Sequence, residues 1–193
     1  MNDLLSREND IELWDSYVEG DKEALGVLFK RYYSLLYQYG NKICADEAAL
    51  EDCIQELFAD LWQKKSQQSI QSVKAYLLQA LKYKLYRFFR DKKTVFSIDS
   101  DSNEHFELSH EAFLINRHDD EEKIKKMISA LNQLPARQKE IIYLRIYKGL
   151  SYEEISEVME INYQVVRNLL CQALKTFRKL IIPATILLAV LNS

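Results

Sequence analysis

Backbone-breaking residues are so scarce in this chain that one fold class dominates from the outset. Four Gly and two Pro in 193 residues are about 3% of the sequence, against an average usage near 12%. An all-β fold consumes those residues in its turns, so the expected class is all-α. The length allows one large domain or two small ones. A hydrophobic fraction of 48% and a charged fraction of 28% are enough to bury a core without a staple. Cys44, Cys53 and Cys171 are odd in number, widely spaced and form no CxxC, which argues against a disulfide framework, a zinc finger or a thiol redox pair. The start, MNDLLSREND, carries acids and no apolar stretch, so a secretory signal is not expected and the reducing cytoplasm is the expected compartment.

The net charge of −3 conceals a partition: −9 over residues 1–62, +8 over 63–93, −8 over 94–122 and +6 over 123–193. Like charges gathered in blocks mark separate surfaces with separate partners, two of them able to attract nucleic acid and two to repel it.

Apolar residues from Leu25 to Tyr39 recur at steps of three and four, predicting a helix from Ala24 to Tyr39 with Asp21 as N-cap. A second helix is marked by Leu50, Cys53, Ile54, Leu57, Phe58, Leu61 and Trp62, with Asp52, Gln55, Glu56, Asp60 and Gln63 opposite. The polar stretch 64–72 reads as a loop, and a third helix runs from about Val73 to Asp91. Residues 94–122 lose helical periodicity and gain Ser, Asp and Glu, the composition of an acidic flexible linker, which divides the chain into 1–93 and 123–193.

Beyond it Ile124, Met127, Ile128 and Leu131 lie on one helix, and Pro135 starts another that Gly149 ends. Ser151 and Glu154 have capping-box spacing for a short helix through Val158. A last helix from Tyr163 aligns Val166, Leu169, Leu170, Ala173, Leu174 and Phe177. Short helix, tight turn and longer helix form the helix-turn-helix pattern. The apolar tail at 181–191 has 11 residues, short of the roughly 20 that span a bilayer. It reads as a terminal segment over the second domain, the alternative being a membrane-surface or partner contact.

Three constellations carry possible chemistry. On the 73–91 helix, Gln79, Lys82, Tyr83, Tyr86 and Arg90 share one face, with Arg87 at its edge. Rings stack on unpaired bases while cations hold phosphates, which suits a single strand; the plain alternative is a solvated basic helix with snorkelling tyrosines. Lys84 falls within the apolar face of that helix and must snorkel or find a carboxylate. On the last helix Gln164, Arg167, Asn168, Cys171, Lys175 and Arg178 oppose the apolar stripe. Arg pairs with guanine and Gln or Asn with adenine in the major groove, although an ordinary amphipathic helix would look the same. The acidic face Asp52, Gln55, Glu56 and Asp60 is either a solvated surface or a contact for a basic partner. His105, His110 and His118 have no repeated ligand spacing. With no Gly-rich phosphate loop and no nucleophile elbow, no catalytic activity and no cofactor or metal is expected.

Two stretches then resemble one family. DKEALGVLFKRYYSLLYQYGNKI with ALEDCIQELFADLW is similar to region 2, and LPARQKEIIYLRIYKGLSYEEISEVMEINYQVVRNLLCQALKTFRK to region 4, of the extracytoplasmic-function group of the sigma-70 family. The resemblance implies a sigma factor that binds core RNA polymerase, recognises −10 and −35 promoter elements and helps to open the duplex. It makes Asp52, Gln55, Glu56 and Asp60 contacts to polymerase. Gln79, Lys82, Tyr83, Tyr86, Arg87 and Arg90 become contacts to the −10 element. Tyr163, Gln164, Arg167, Asn168, Lys175 and Arg178 become contacts to the −35 element. It further implies a monomer whose partners in the family include an anti-sigma factor, often membrane-bound. Departures are Tyr83, where relatives often have Asn, Glu160 in place of a turn Gly, and Leu169 and Cys171 at positions often polar or basic. The alternative is a stand-alone helix-turn-helix transcriptional regulator whose first part senses a ligand or dimerises.

Overall fold

Asn9 opens the first helix by a reciprocal cap: its side chain accepts from the Ile11 and Glu12 amides, and the Glu12 carboxylate accepts from the Asn9 amide. The computed structural model describes residues 9–64, 70–95, 106–108 and 121–191. Among the described residues every regular element is helical. Contacts divide the chain into two units, residues 1–103 and 104–193.

The first unit holds α1 (Asp10–Glu19), α2 (Lys22–Gly40), α3 (Glu47–Lys64) and α4 (Val73–Val95). The sequence reading did not include α1, which supplies buried Leu13, Trp14 and Tyr17. Asp21 caps α2 as expected, accepting from the Glu23 amide at 2.7 Å. The stripe of α3 is buried from Leu50 to Leu61. Leu77, Leu78, Leu81 and Leu85 of α4 are fully buried, each stabilising the unit by roughly 1.5–3 kcal/mol. Helices α2 and α3 approach closely at Gly40, where an added Cβ would stand 2.2 Å from Leu50 Cδ1. The buried Tyr17 hydroxyl donates to the Leu61 carbonyl at 2.5 Å, joining α1 to the end of α3.

The second unit holds α5 (Glu121–Asn132), α6 (Ala136–Ile142), which passes into a π turn at Tyr143–Tyr147, α7 (Tyr152–Met159) and α8 (Tyr163–Leu191). Pro135 precedes α6, and Gly149 at φ 66° turns the chain toward α7. Ser151 and Glu154 form the expected capping box, at 3.1 Å and 2.7 Å. The stripe of α8 is narrower than the sequence suggests. Val166, Leu170 and Ala173 are buried, whereas Leu174 is 43% exposed. At 100° per residue Leu174 lies on the edge of the stripe, turned away from the axis through Val166 and Ala173.

The 94–122 linker is not uniform. Helix α4 runs to Val95 and α5 begins at Glu121. Between them Phe106 and Leu108 are 3% and 2% exposed, packed into the second unit rather than solvated. The physical reason is alternation: residues 106 and 108 turn inward together and Glu107 between them is exposed. The remainder of the expected linker, the 65–69 part of the expected loop and all three histidines lie outside the described residues. So do the side chains of the apolar tail beyond Ile181, although the backbone of α8 is helical to Leu191. No helix among the described residues is long and apolar enough to cross a membrane.

Candidate functional site

The three constellations fall on three surfaces. On α3, Asp52, Gln55 and Glu56 are exposed and Asp60 is half-buried. The question left by Lys84 resolves here. Its ammonium reaches Asp60 at 2.9 Å and Glu56 at 3.5 Å while its side chain is 18% exposed. The hydrogen bond from Lys84 holds the Asp60 carboxyl below the usual carboxylate range, with help from Lys64. Lys92, further along α4, reaches Asp46 at 3.5 Å before the start of α3. The order of these two pairs sets the helices antiparallel, so α3 and α4 turn an acidic and a basic face to solvent from one packed pair. On the other margin of α3, the Tyr33 hydroxyl donates to Glu51 at 3.5 Å.

The α4 face places Gln79, Lys82 and Tyr86 at half-buried positions and Tyr83, Arg87 and Arg90 in solvent. Tyr83 is 67% exposed, far more than a tyrosine in a packed interior. Lys82 sits over the Tyr86 ring at 5.8 Å, and Lys92 over the Phe88 ring at 4.5 Å. Cations beside ring faces on a helix whose other side is fully buried are what a strand of unpaired bases requires.

The third surface is the start of α8. Tyr163, Gln164, Arg167, Asn168, Lys175 and Arg178 are all exposed, so the sequence assignment placed every one of them outward. Gln164 Nε2 donates to Asn168 Oδ1 at 3.4 Å, making a pair of amides on the outer face. Several supporting residues were not singled out from sequence. Asn162 Oδ1 accepts from the Val165 amide at 2.9 Å and so caps α8; its signal was an Asn just ahead of an apolar-periodic run. The Arg145 guanidinium lies 4.8 Å from the Tyr152 ring centroid, and Tyr152 meets Tyr163 edge to face at 5.7 Å. That contact depends on the π turn, which carries no sequence signal. The Ser156 hydroxyl donates to the Ile161 carbonyl across the tight turn.

Cys44, Cys53 and Cys171 are free, and burial pushes the Cys53 thiol up to about 11. Among the described residues no group of acids, cysteines or histidines could hold a metal ion.

Two helical units, one ending in a helix-turn-helix and the other pairing an acidic with a basic helix face, match known proteins along most of their length. Residues 28–95 match Sigma-70 region 2, and residues 124–177 match Sigma-70, region 4. The chain is 26% identical over 147 residues to the RNA polymerase sigma factor SigV of Bacillus subtilis (strain 168), covering 76% of this chain and 82% of that protein. It is 22% identical over 166 residues to the ECF RNA polymerase sigma factor SigX of the same organism, covering 82% and 84%. In fold it is similar to CnrH, solved in complex with the cytosolic domain of CnrY, with a TM-score of 0.61 at 18% identity over 89% of this chain and 96% of that one. It is also similar to the Bartonella quintana sigma factor RpoE, solved with the anti-sigma factor NepR, with a TM-score of 0.55 at 19% identity over 79% and 93%. The chain therefore belongs to the sigma-70 family.

Within that family it is an extracytoplasmic-function RNA polymerase sigma factor, which binds core polymerase and promoter DNA, directs promoter-specific initiation and is not itself an enzyme. Residues 28–95, part of the stretch that the alternative reading gave to ligand sensing or dimerisation, match Sigma-70 region 2 instead.

Proposed function

We propose that the three surfaces divide the work of initiation. Asp52, Gln55, Glu56 and Asp60 on α3 meet core polymerase. Gln79, Lys82, Tyr83, Tyr86, Arg87 and Arg90 on α4 hold the −10 strand as the duplex opens. Tyr163, Gln164, Arg167 and Asn168 read the −35 element, with Lys175 and Arg178 on its phosphates. The functional divisions are residues 1–93 and 123–193, joined through 94–122. The observation that carries this reading is Tyr83, 67% exposed on a basic helix face whose opposite side is fully buried. An aromatic ring held in water on a rigid scaffold is of use when a base stacks on it.

The protein works as a cytoplasmic monomer. Both structural relatives are solved with a second protein, an anti-sigma factor in the case of RpoE, and this supports an anti-sigma partner here.

Reconstitution with bacterial core polymerase tests the division. Replacing Gln55 and Glu56 with Ala is expected to weaken core binding with helicity intact. Tyr86→Ala and Arg90→Ala holoenzymes are expected to bind upstream duplex but to open it poorly. Normal open-complex yield in both variants would make the α4 face a solvated surface only.

A further inference from the structure

Phe106, Glu107 and Leu108 belong to a stretch whose composition gives no reason for order, yet both apolar residues are almost wholly buried. The contact is specific in its hydrogen bonds. Asn132, the last residue of α5, donates from Nδ2 to the Leu108 carbonyl at 2.9 Å and accepts at Oδ1 from the Leu108 amide at 3.0 Å. A side-chain amide has the donor and acceptor of a peptide group. It therefore pairs with Leu108 as one residue of a β-ladder pairs with its opposite, through both bonds at once. Phe106 meets the buried Tyr143 ring edge to face at 5.6 Å. Between them Glu107 lies outward, close enough to the buried Lys139 for its charge to favour the ammonium against the pull of burial.

We propose that the end of α5 and the π turn form a peptide-docking site in region 4, and that Phe106–Leu108 of this same chain is its resident occupant. The ligand class is an extended tripeptide with an aromatic, an acidic and an aliphatic residue in that order. Alternate side chains enter apolar positions and the backbone of the last residue, Leu108, is read by Asn132, the logic of strand addition with one side chain in place of a sheet edge. The segment thus anchors the stretch between the two regions to region 4 well ahead of α5. Three residues bury little area, but an occupant tethered in cis faces its site at millimolar effective concentration, so weak intrinsic affinity keeps the site filled. A partner presenting the same pattern binds only as the strap leaves. None of this depends on which side chains touch DNA.

A fluorescent peptide of residues 103–111, titrated to low-millimolar concentration, tests the proposal on full-length chains. Saturable binding is expected to the Phe106→Ser/Leu108→Ser chain, with binding to wild type at least about tenfold weaker because the cis occupant competes. Adding Asn132→Ala to the double variant is expected to abolish binding. Binding to none of the three chains, or equal binding to all, overturns the proposal. Should the double variant lose its helical circular dichroism, Asn132→Leu in the otherwise intact chain replaces it. Loss of both paired bonds, the one accepted from the Leu108 amide included, should then speed exchange of that amide by roughly tenfold or more. An unchanged exchange rate overturns the docking site.

Discussion

Lys84 on α4 places its ammonium 2.9 Å from the carboxylate of Asp60 on α3, joining the helix proposed for the −10 strand to the helix proposed for polymerase. The pair lowers the Asp60 pKa, chiefly through the hydrogen bond from Lys84. A carboxylate depressed in the folded state contributes stability above its unfolded value near 3.9, and loses it as pH falls through the lower folded value. Asp60 is 41% exposed, so solvent screens the pair and its worth stays below about 1 kcal/mol. Lys84→Met is expected to lose up to that amount at neutral pH, with the difference from wild type vanishing well below pH 4. Urea denaturation at several pH values measures it. A difference independent of pH would assign the effect to packing of the lysine stem.

Two glycines of α2 should respond to alanine with opposite signs. At Gly26 a Cβ would meet nothing within 4 Å, so Gly26→Ala is expected to stabilise region 2 by roughly 0.5–1 kcal/mol through helix propensity alone. At Gly40 the same Cβ would stand 2.2 Å from Leu50 Cδ1, on a side chain that is fully buried. Gly40→Ala should destabilise by about 1–3 kcal/mol as α2 and α3 move apart. Thermal unfolding of the two variants decides; equal shifts would mean that Leu50 yields without strain.

What the sequence displays well is any helix long enough to repeat its stripe. The buried set of α3 was legible from Leu50 to Leu61, although Trp62 is half-buried and Ala49 joins the core, and Ser151 with Glu154 located α7 to its cap. Helix α1 escaped because only Leu13, Trp14 and Tyr17 mark it, although Asn9 and Glu12 spell out its capping box. The Phe106–Leu108 strap escaped for a deeper reason. Three residues cannot establish a period, and their order comes from Asn132, 24 residues away from Leu108. The fate of Lys84 likewise depends on the register of α4 against α3, a tertiary quantity that spacing on one helix does not contain. The outward face of α8 followed from rotation per residue alone and that of α4 only in part, since Gln79, Lys82 and Tyr86 are half-buried, whereas Arg145 reached Tyr152 through a π turn that no pattern announces.

Glu160 ends α7 at φ 53° and ψ 43°, the left-handed region that favours glycine. A side chain there costs up to about 1 kcal/mol relative to Gly. Glu160→Gly is therefore expected to raise the stability of region 4 by up to that amount. Since Glu160 caps α7 and is not on the outer face of α8, the −35 sequence preference should stay as it is. Thermal unfolding and a promoter-library selection, run on the same variant, separate the two expectations. A changed preference would place the turn itself against DNA.

The outer face of α8 predicts two kinds of failure. Arg167, exposed in the second turn of the helix, is assigned to a base edge, and its loss should cost about 1–3 kcal/mol at one position while relaxing preference there. Lys175 and Arg178, two and three turns further on, are assigned to phosphates. Lys175→Ala should weaken all sequences alike and reduce the slope of log affinity against log salt by about 0.9. Gln164 and Asn168 form a third case, because Gln164 Nε2 donates to Asn168 Oδ1 at 3.4 Å. Each amide orients the other, so Gln164→Ala frees Asn168 as well and is expected to relax preference at two neighbouring positions rather than one. Promoter libraries selected with Arg167→Ala, Gln164→Ala and Lys175→Ala holoenzymes distinguish these patterns in one experiment. A −35 profile from the Arg167 variant identical to wild type, with a reduced salt slope, would move Arg167 from the bases to the phosphates.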